Sequence, residues 1–257
     1  MRQTILAAAL IGCTIPAMAD TIIQQRNADG GIDTISIKGD WARMQSKGET
    51  GYQLWNLKTG EMNVVDPDDR TIMVFDLRAK DTKGRKHPIE ARITKTGKGP
   101  KIAGYGTTKY RLEAGHKNCG TEFISATAAK SKEIRKLVQN FAALSSLDEL
   151  LPGPMAAMAR GMQDPCELAA TSLGEQLPNL GMPLKHVDAS GRTEMEVTRI
   201  DPHAKLDGEL FRLPADYKRT TVEEMMGNAM KEMQQMMQQM PPESQQLLQQ
   251  LFQKPPQ

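Results

Sequence analysis

The chain has 257 residues, with 33 lysine and arginine residues against 31 aspartate and glutamate residues, so its formal net charge is only +2. This balance argues against a nucleic-acid-binding protein, because such proteins carry a concentrated positive surface. Only 4% of the residues are aromatic, so the core is predicted to consist mainly of aliphatic and methionine side chains. The length suits one domain of about 200 residues with an appendage.

The first nineteen residues have the pattern of an export signal. Arg2 precedes an apolar stretch over residues 5–11, which is too short to span a bilayer. Ala17-Met18-Ala19 has the small residues of a cleavage site, so we predict a periplasmic protein cleaved after Ala19. A lipobox-like sequence ending at Cys13 leaves open the alternative of a lipoprotein anchored through that cysteine. No transmembrane segment is expected in the mature chain, since no later stretch is long and apolar enough.

Short antiparallel strands are predicted from residue 20 to about residue 127. Apolar and polar residues alternate within 89–94 and 109–113, which indicates strands with one face in water. Residues 52–57 and 71–77 are apolar on both faces, so these strands should be central or covered. Turn sequences separate the strands at intervals near ten residues, a spacing typical of a strongly curved sheet or an incomplete β-barrel.

Two basic segments, 80–87 and 95–101, are expected to be loops within this region. They are either solvated hairpin tips or a docking rim for anionic headgroups or a partner.

A helical insert is predicted over about 129–177, between the strands on either side. Apolar residues recur at helical spacing from Ile134 through Phe141, and a further short helix should begin at Pro165. Strand patterns resume at 183–187 and 193–200. We expect the helix that carries Ile134 and Phe141 to cover the concave apolar face of the sheet.

Two cysteines follow the predicted cleavage site, Cys119 and Cys166. In an oxidising compartment an even number favours one disulfide. A metal or redox site built on His116 and Cys119 is the alternative, but a single His-x-x-Cys has no second ligand pair to complete it.

The last segment, 219–257, is rich in methionine and glutamine and is predicted to be a helical tail. Its apolar positions step by three and four residues, as on one face of a helix: Met226, Met230, Met233 and Met237. This face either docks on the protein itself or binds a partner in the cell envelope, since methionine side chains adapt readily to different surfaces. Thioether binding of Cu(I) is disfavoured because no histidine follows His203.

Catalytic motifs are not apparent in the sequence. The four histidines (His87, His116, His186 and His203) lack a motif-level partner, and no glycine-rich phosphate loop stands between a strand and a helix. We therefore expect a non-enzymatic protein without a cofactor or a bound metal.

Several segments resemble a family of exported bacterial proteins that carry a domain of unknown function. The similar segments are residues 38–44, 57–67, the Ile-Ala-Gly-Tyr strand at 102–110, and the Phe-x-Leu-Pro piece at 211–218. The resemblance covers most of 20–218 and implies a fold like that of the periplasmic lipoprotein carriers (LolA-like), in which an incomplete antiparallel barrel wraps over helices. The chain departs from those carriers in its first strand and in its tail, and the resemblance supplies no catalytic residues.

These observations together predict an α+β fold: a curved antiparallel sheet with a helical insert and a helical tail. The functional hypothesis is a half-barrel that binds a lipid, an acyl chain or another apolar ligand. The predicted contact residues are Trp55, Phe75, Ile134 and Phe141. The alternative is an interaction module of the cell envelope that uses the methionine-rich tail helix.

Overall fold

The structure, a computed structural model, describes residues 20–76, 89–144 and 164–222, together with six isolated positions between 224 and 235. Its strands are β1 (Asp20–Asn27), β2 (Ile32–Lys38), β3 (Trp41–Ser46), β4 (Tyr52–Asn56), β5 (Glu61–Asp66), β6 (Thr71–Asp76), β7 (Ala91–Ile102), β8 (Tyr105–Ala114), β9 (Lys117–Ser125), β10 (Met182–Val187), β11 (Thr193–Ala204) and β12 (Lys218–Thr221). Its two α-helices are α1 (Lys132–Leu144) and α2 (Pro165–Leu180).

All twelve strands belong to one curved, unclosed sheet with the order β12-β6-β5-β4-β3-β2-β1-β11-β10-β9-β8-β7. The prediction of a curved sheet that does not close is confirmed. The prediction of purely antiparallel pairing is wrong at one place, because β12 lies parallel to β6. A parallel neighbour requires a long crossover, and here the chain returns from β11 in the middle of the sheet to its far edge.

The face of the sheet that carries both helices is called the helical face. Alternate residues of β1 and β2 point to it, and Ile23, Ile35 and Ile37 are at most 2% exposed. Ile23 lies directly opposite Ile35 in the antiparallel pair, so the isoleucine side chains form a continuous apolar floor.

Helix α2 covers the part of the helical face that is formed by β7 to β10. It begins with a capping box, in which the Asp164 side chain accepts a hydrogen bond from the backbone N–H of Cys166 and Glu167 reaches back to the backbone of Asp164. Ala169 packs with Leu112 and Ala114 in a small second apolar cluster. The insert therefore provides helices on one face of the sheet, as its periodicity predicts.

A segment called here the strap, residues 205–217, crosses the opposite face. The Leu206 N–H donates to Asp20 Oδ2 at 2.9 Å, and Arg43 donates to the Leu210 carbonyl oxygen at 3.1 Å. The Arg43 guanidinium also lies 3.5 Å from the ring centroid of Tyr52. Phe211, at the end of a 3-10 turn, is buried and 8% exposed.

Strands β4, β5 and β6 also bury apolar side chains on the strap side. Leu54, Val65 and Ile72 point away from the helical face, and each is at most 1% exposed. Leu54 lies opposite Arg43, and Val65 opposite Ile72, so these side chains form a second buried layer on the strap side. The expectation that β4 and β6 are covered is thus met from both sides.

Two further predictions need correction. Residues 95–101 belong to β7 and are not a loop, because Gly97 and Gly99 allow the bulges that keep this segment paired with β8. Residues 102–110 are not a single strand, because Ala103 and Gly104, both with positive φ, make a tight turn between β7 and β8. No α-helix among the described residues has both the length and the apolar character needed to cross a bilayer.

Candidate functional site

The centre of the helical face is a row of side chains that lie opposite one another on five neighbouring strands. The register places them side by side, and all but the last are at most 4% exposed: Ile37, Ala42, Trp55, Met62 and Phe75. Phe75 stands at the end of the row and is half-buried. This row is called the covered row.

Helix α1 lies over the covered row. Ile134 and Leu137 face the sheet and are each 1% exposed. The Phe141 ring meets the Trp55 ring edge-on, with 5.0 Å between centroids and 74° between planes. At the helix side, Asn140 donates to the Leu57 carbonyl oxygen at 3.3 Å.

An ion pair fixes the position of α1 on the sheet. Lys136 binds the carboxylate of Asp40, in the turn between β2 and β3. This hydrogen bond from the lysine is the main reason that the pKa of Asp40 lies below its ordinary value.

The four predicted contact residues therefore come together in one apolar cluster. Trp55 and Ile134 are fully buried between α1 and the sheet, whereas Phe75 and Phe141 are half-buried at its margin. A ligand could touch Trp55 or Ile134 only if α1 moved. Phe75 and Phe141 are accessible without such a movement.

A second row of side chains runs beside the covered row and is only half-buried. Met44 lies opposite Gln53, and Gln53 opposite Val64. The side chain of Gln53 accepts a hydrogen bond from Trp55 Nε1 at 3.2 Å, which ties the two rows together. Four half-buried residues around this margin are called the apolar strip: Met44, Val64, Phe75 and Phe141.

The apolar strip leads into an open cleft of about 350 Å³ at the end of β3, β4 and β5. Met44, Gln53 and Val64 line the cleft from the helical face, whereas Tyr52 and Val65 line it from the strap side. Its rim carries carboxylates but no lysine or arginine: Glu49, Asp66 and Asp68. The helical face thus changes from a dry core under α1 to an apolar margin and then to a polar, solvent-open end.

Asp33 lies at the polar end of the helical face. Its carboxylate accepts hydrogen bonds from Ser46 at 2.6 Å, from Asn27 at 2.8 Å and from Gln25 at 3.2 Å. Burial by itself would raise the pKa of Asp33, but these three bonds outweigh it and hold the pKa below its ordinary value. The aspartate is therefore kept ionised inside a polar network that orders the ends of β1, β2 and β3.

Glu122 and His186 form a buried pair that no sequence motif indicates. They lie opposite each other on β9 and β10, with 3.0 Å between His186 Nδ1 and Glu122 Oε1. The close contact with the Glu122 carboxylate raises the pKa of His186, although burial opposes it, and burial raises the pKa of Glu122. Glu122 Oε2 and His186 Nδ1 are both buried, and neither makes a hydrogen bond of normal geometry within the described part of the chain, so the 3.0 Å contact is an ion pair.

Cys119 and Cys166 are joined by a disulfide, with 5.4 Å between their Cα atoms. It links β9 to the first turn of α2, and Lys117 forms an ion pair with the capping residue Asp164 beside it. Within the described part of the chain, no group of three His, Cys, Asp or Glu side chains is placed to hold a metal ion.

The methionine face of the tail lies outside the described residues, as do the cleavage site and Cys13. The structure does show how the tail begins. Thr221 and Glu224 form a reciprocal cap directly after β12, and the following Met225 is 42% exposed. Binding of an envelope partner by Met226, Met230, Met233 and Met237 therefore stays a prediction.

Residues 24–148, just under half of the chain, match the model of a family described as a domain of unknown function, DUF4412. This match confirms the resemblance to a family with a domain of unknown function, and the matched residues contain the apolar strip, the cleft and α1. No curated protein is significantly similar to the sequence.

The solved structures that are similar to the chain include two that contain MucB. A crystal structure of MucB is 9% identical, with a TM-score of 0.33, and the match covers 79% of this chain and 60% of that one. MucB in the MucA/MucB complex of Pseudomonas aeruginosa is 10% identical, with a TM-score of 0.37, and the match covers 79% and 58%. The chain therefore spans less than two thirds of the length of MucB.

Proposed function

We propose that this protein is a non-enzymatic binding protein of the periplasm that holds an apolar chain, such as the acyl chain of a lipid, along the apolar strip. The observation that carries the proposal is the half-buried state of Met44, Val64, Phe75 and Phe141, between a dry core and an open cleft. A ligand placed there would cover apolar surface while its polar end stays in the cleft.

The free energy available from such contact is adequate for useful affinity. About ten buried methylene groups would contribute about 8 kcal/mol, which corresponds to roughly micromolar binding before the cost of ordering the ligand. Met44 supports adaptable contact because an unbranched thioether side chain fills irregular gaps. The ligand needs no displacement of α1, which keeps its contacts with Trp55 and Asp40.

The side chains around the cleft favour binding over catalysis. Its lining contains carboxylates and amides but no histidine, cysteine or lysine. Glu122 and His186, the buried acid–base pair, lie on β9 and β10, on the far side of β1 and β2 from the cleft strands.

The test is to purify the protein from the periplasm and record native mass spectra, together with displacement of a fluorescent acyl probe that has an uncharged head group, since the rim of the cleft carries carboxylates. We expect the wild-type protein to retain adducts of lipid mass and to bind the probe. Val64→Gln should weaken probe binding at least about fivefold, because an uncompensated amide at an apolar contact costs about 1–3 kcal/mol.

Val74→Gln is the matched control. Val74 is also half-buried on the neighbouring strand but points to the strap side, opposite Asn63. Its substitution should leave probe binding within about twofold, in keeping with a contact that the ligand does not make. The proposal would lose its basis if the wild-type protein were repeatedly recovered without adducts and did not bind the probe. It would also lose its basis if both variants lost probe binding to the same extent.

A further inference from the structure

The hairpin of β7 and β8 is strongly cationic. Residues 89–114 contain six lysine and arginine side chains but only two carboxylates, Glu90 and Glu113. Arg92 is paired with Glu90 at 3.3 Å. The other five cations are exposed, and none forms an ion pair with a described residue: Lys95, Lys98, Lys101, Lys109 and Arg111.

Many cations elsewhere on the described surface are paired with acids. Lys38 binds Asp20, and Lys185 binds Glu196, each at 2.9 Å. The five unpaired cations of the hairpin therefore lie together at one end of the sheet, where β7 is the last described strand. Exposed lysines without an ion pair to a described residue, such as Lys47 and Lys58, also occur elsewhere.

The five side chains are distributed over both faces of the hairpin. Lys109 and Arg111 are alternate residues of β8 and share one face. Lys95 and Lys98 lie opposite Tyr110 and Thr108, so they point to the other face. Strand β7 is about 40 Å long, so the charges form an extended row along the edge of the sheet. A row of this shape can lie against a flat anionic surface.

This edge is poorly suited to accept a further strand from a partner. Its register with β8 is interrupted between Lys95 and Gly97 and again between Lys98 and Lys101. Pro100 lacks a backbone N–H in the same stretch. Bulges, lysines and proline are the features by which natural sheets avoid edge-to-edge pairing.

The hairpin also lacks the exposed apolar residues that a protein interface uses at its centre. Ile102 and Leu112 are buried, at 5% and 6% exposure. The large apolar side chains that are exposed among the described residues, Leu210 and Met225, belong to the strap and to the tail. Because interfaces with folded proteins depend on apolar anchors, these observations favour a partner that is recognised by charge alone.

We infer that the β7–β8 hairpin docks this protein electrostatically on an anionic phospholipid bilayer surface. The inference goes beyond ligand binding at the apolar strip, which lies on β3 to β6 and α1. Lysines and arginines close to such a bilayer are attracted by its negative surface potential. This attraction becomes weaker as the salt concentration rises.

The experiment measures cosedimentation of the full chain with vesicles of phosphatidylcholine, with and without phosphatidylglycerol, at low and high salt. We expect binding only to the anionic vesicles, and only at low salt. Replacing Lys95, Lys98 and Lys101 by glutamine should reduce partitioning roughly 100-fold, since each lysine near the surface contributes about fivefold.

Lys47, Lys58 and Lys205 provide the matched control. All three are exposed and have no ion pair among the described residues, and they lie away from the hairpin. Their triple glutamine variant has the same net charge and should bind like the wild-type protein. The triple arginine variant of Lys95, Lys98 and Lys101 should also retain binding, which separates charge from folding.

Equal loss in the two glutamine variants would overturn the inference, because it would show that only net charge matters. Binding to neutral vesicles, or binding that high salt does not weaken, would overturn it as well. Tighter binding to soluble polyglutamate than to anionic vesicles would assign the hairpin to an acidic protein partner instead. Binding of the uncharged acyl probe should be unchanged in all variants, so failure here and failure of the proposed function are distinguishable.

Discussion

At the scale of single residues, the Glu122–His186 pair makes stability depend on pH. The pKa of His186 is raised in the folded state by its bond to Glu122. A raised pKa means that the pair stabilises the fold fully below the ordinary value of 6.5, and that this stability is lost as the pH rises through the raised pKa. The raised pKa of Glu122 acts in the same direction.

We therefore expect Glu122→Gln to destabilise the protein by about 2 kcal/mol below pH 6.5, where the bond to a charged histidine is lost. At alkaline pH the effect should become small, because the wild-type protein then buries an uncompensated carboxylate. Urea unfolding at several pH values measures the difference.

Glu113→Gln is the control for this prediction. Glu113 is half-buried on the adjacent strand β8 and has no ion pair among the described residues, so its substitution should show no comparable pH dependence. A Glu122→Gln effect that stays constant with pH would contradict the assignment of the pair.

The same residues show where reasoning from sequence ends. Trp55, Phe75, Ile134 and Phe141 are brought together as predicted from strand and helix periodicity. Which of them stay accessible depends on the position of α1, fixed by the contacts of Lys136 and Asn140 with other elements. The partner of His186 depends on the register between β9 and β10, and no local pattern encodes it.

At the scale of elements, the disulfide holds the start of α2 on β9. Its two cysteines are 47 positions apart, and the chain-entropy relation assigns such a loop about 4 kcal/mol as an upper limit. We expect the variant with both Cys119 and Cys166 replaced by serine to lose 2–4 kcal/mol of unfolding free energy. Denaturant unfolding measures this loss.

The reduced wild-type protein is the natural comparison. It should match the double serine variant within about 1 kcal/mol, since both lack the cross-link. Equal stability of the oxidised and the reduced protein would show that α2 is held by its cap and by Ala169 alone.

Element prediction succeeded where periodicity is strong and failed where an edge or a turn departs from it. The helix around Ile134 and the strand at 193–200 have regular patterns and were predicted with few errors. Residues 95–101 resemble a loop because lysine, glycine and proline are favoured both in turns and in protected edge strands. Strand β12 shows that the helical tail predicted from residue 219 begins too early, and its four polar residues carry no apolar alternation that would indicate a strand.

At the scale of the whole molecule, the strap joins the middle of the sheet to one of its edges. It passes from β11 across β1, β2 and β3 and delivers β12 to β6, with an ion pair between Arg70 and Asp216 at its end. Phe211 is its buried anchor, at 8% exposure, whereas the neighbouring Leu210 is 38% exposed.

Phe211→Ala should therefore cost about 3 kcal/mol of unfolding free energy, the usual effect of removing a buried aromatic side chain. Leu210→Ala should cost less than about 1 kcal/mol, because most of that side chain is already in water. Guanidinium unfolding of both variants compares the two values. Similar losses would mean that the strap is not anchored at Phe211.

The curved, unclosed architecture follows from local patterns, but its single parallel pair does not. Strand lengths and turn spacing predict an antiparallel meander, and the pairs from β1 to β6 follow it. The pairing of β12 with β6 depends on the path of the strap, and that path is set by contacts between distant residues such as Arg43 and Leu210.

The parallel pairing also dictates an order of events during biosynthesis. Strands β1 to β6 can form a meander as soon as they have been synthesised. The outer edge of β6 has no partner strand until β12, close to the end of the polypeptide, has been produced. Exposed rims of this kind recruit other chains, so this nascent protein needs protection from self-association until Lys218–Thr221 docks.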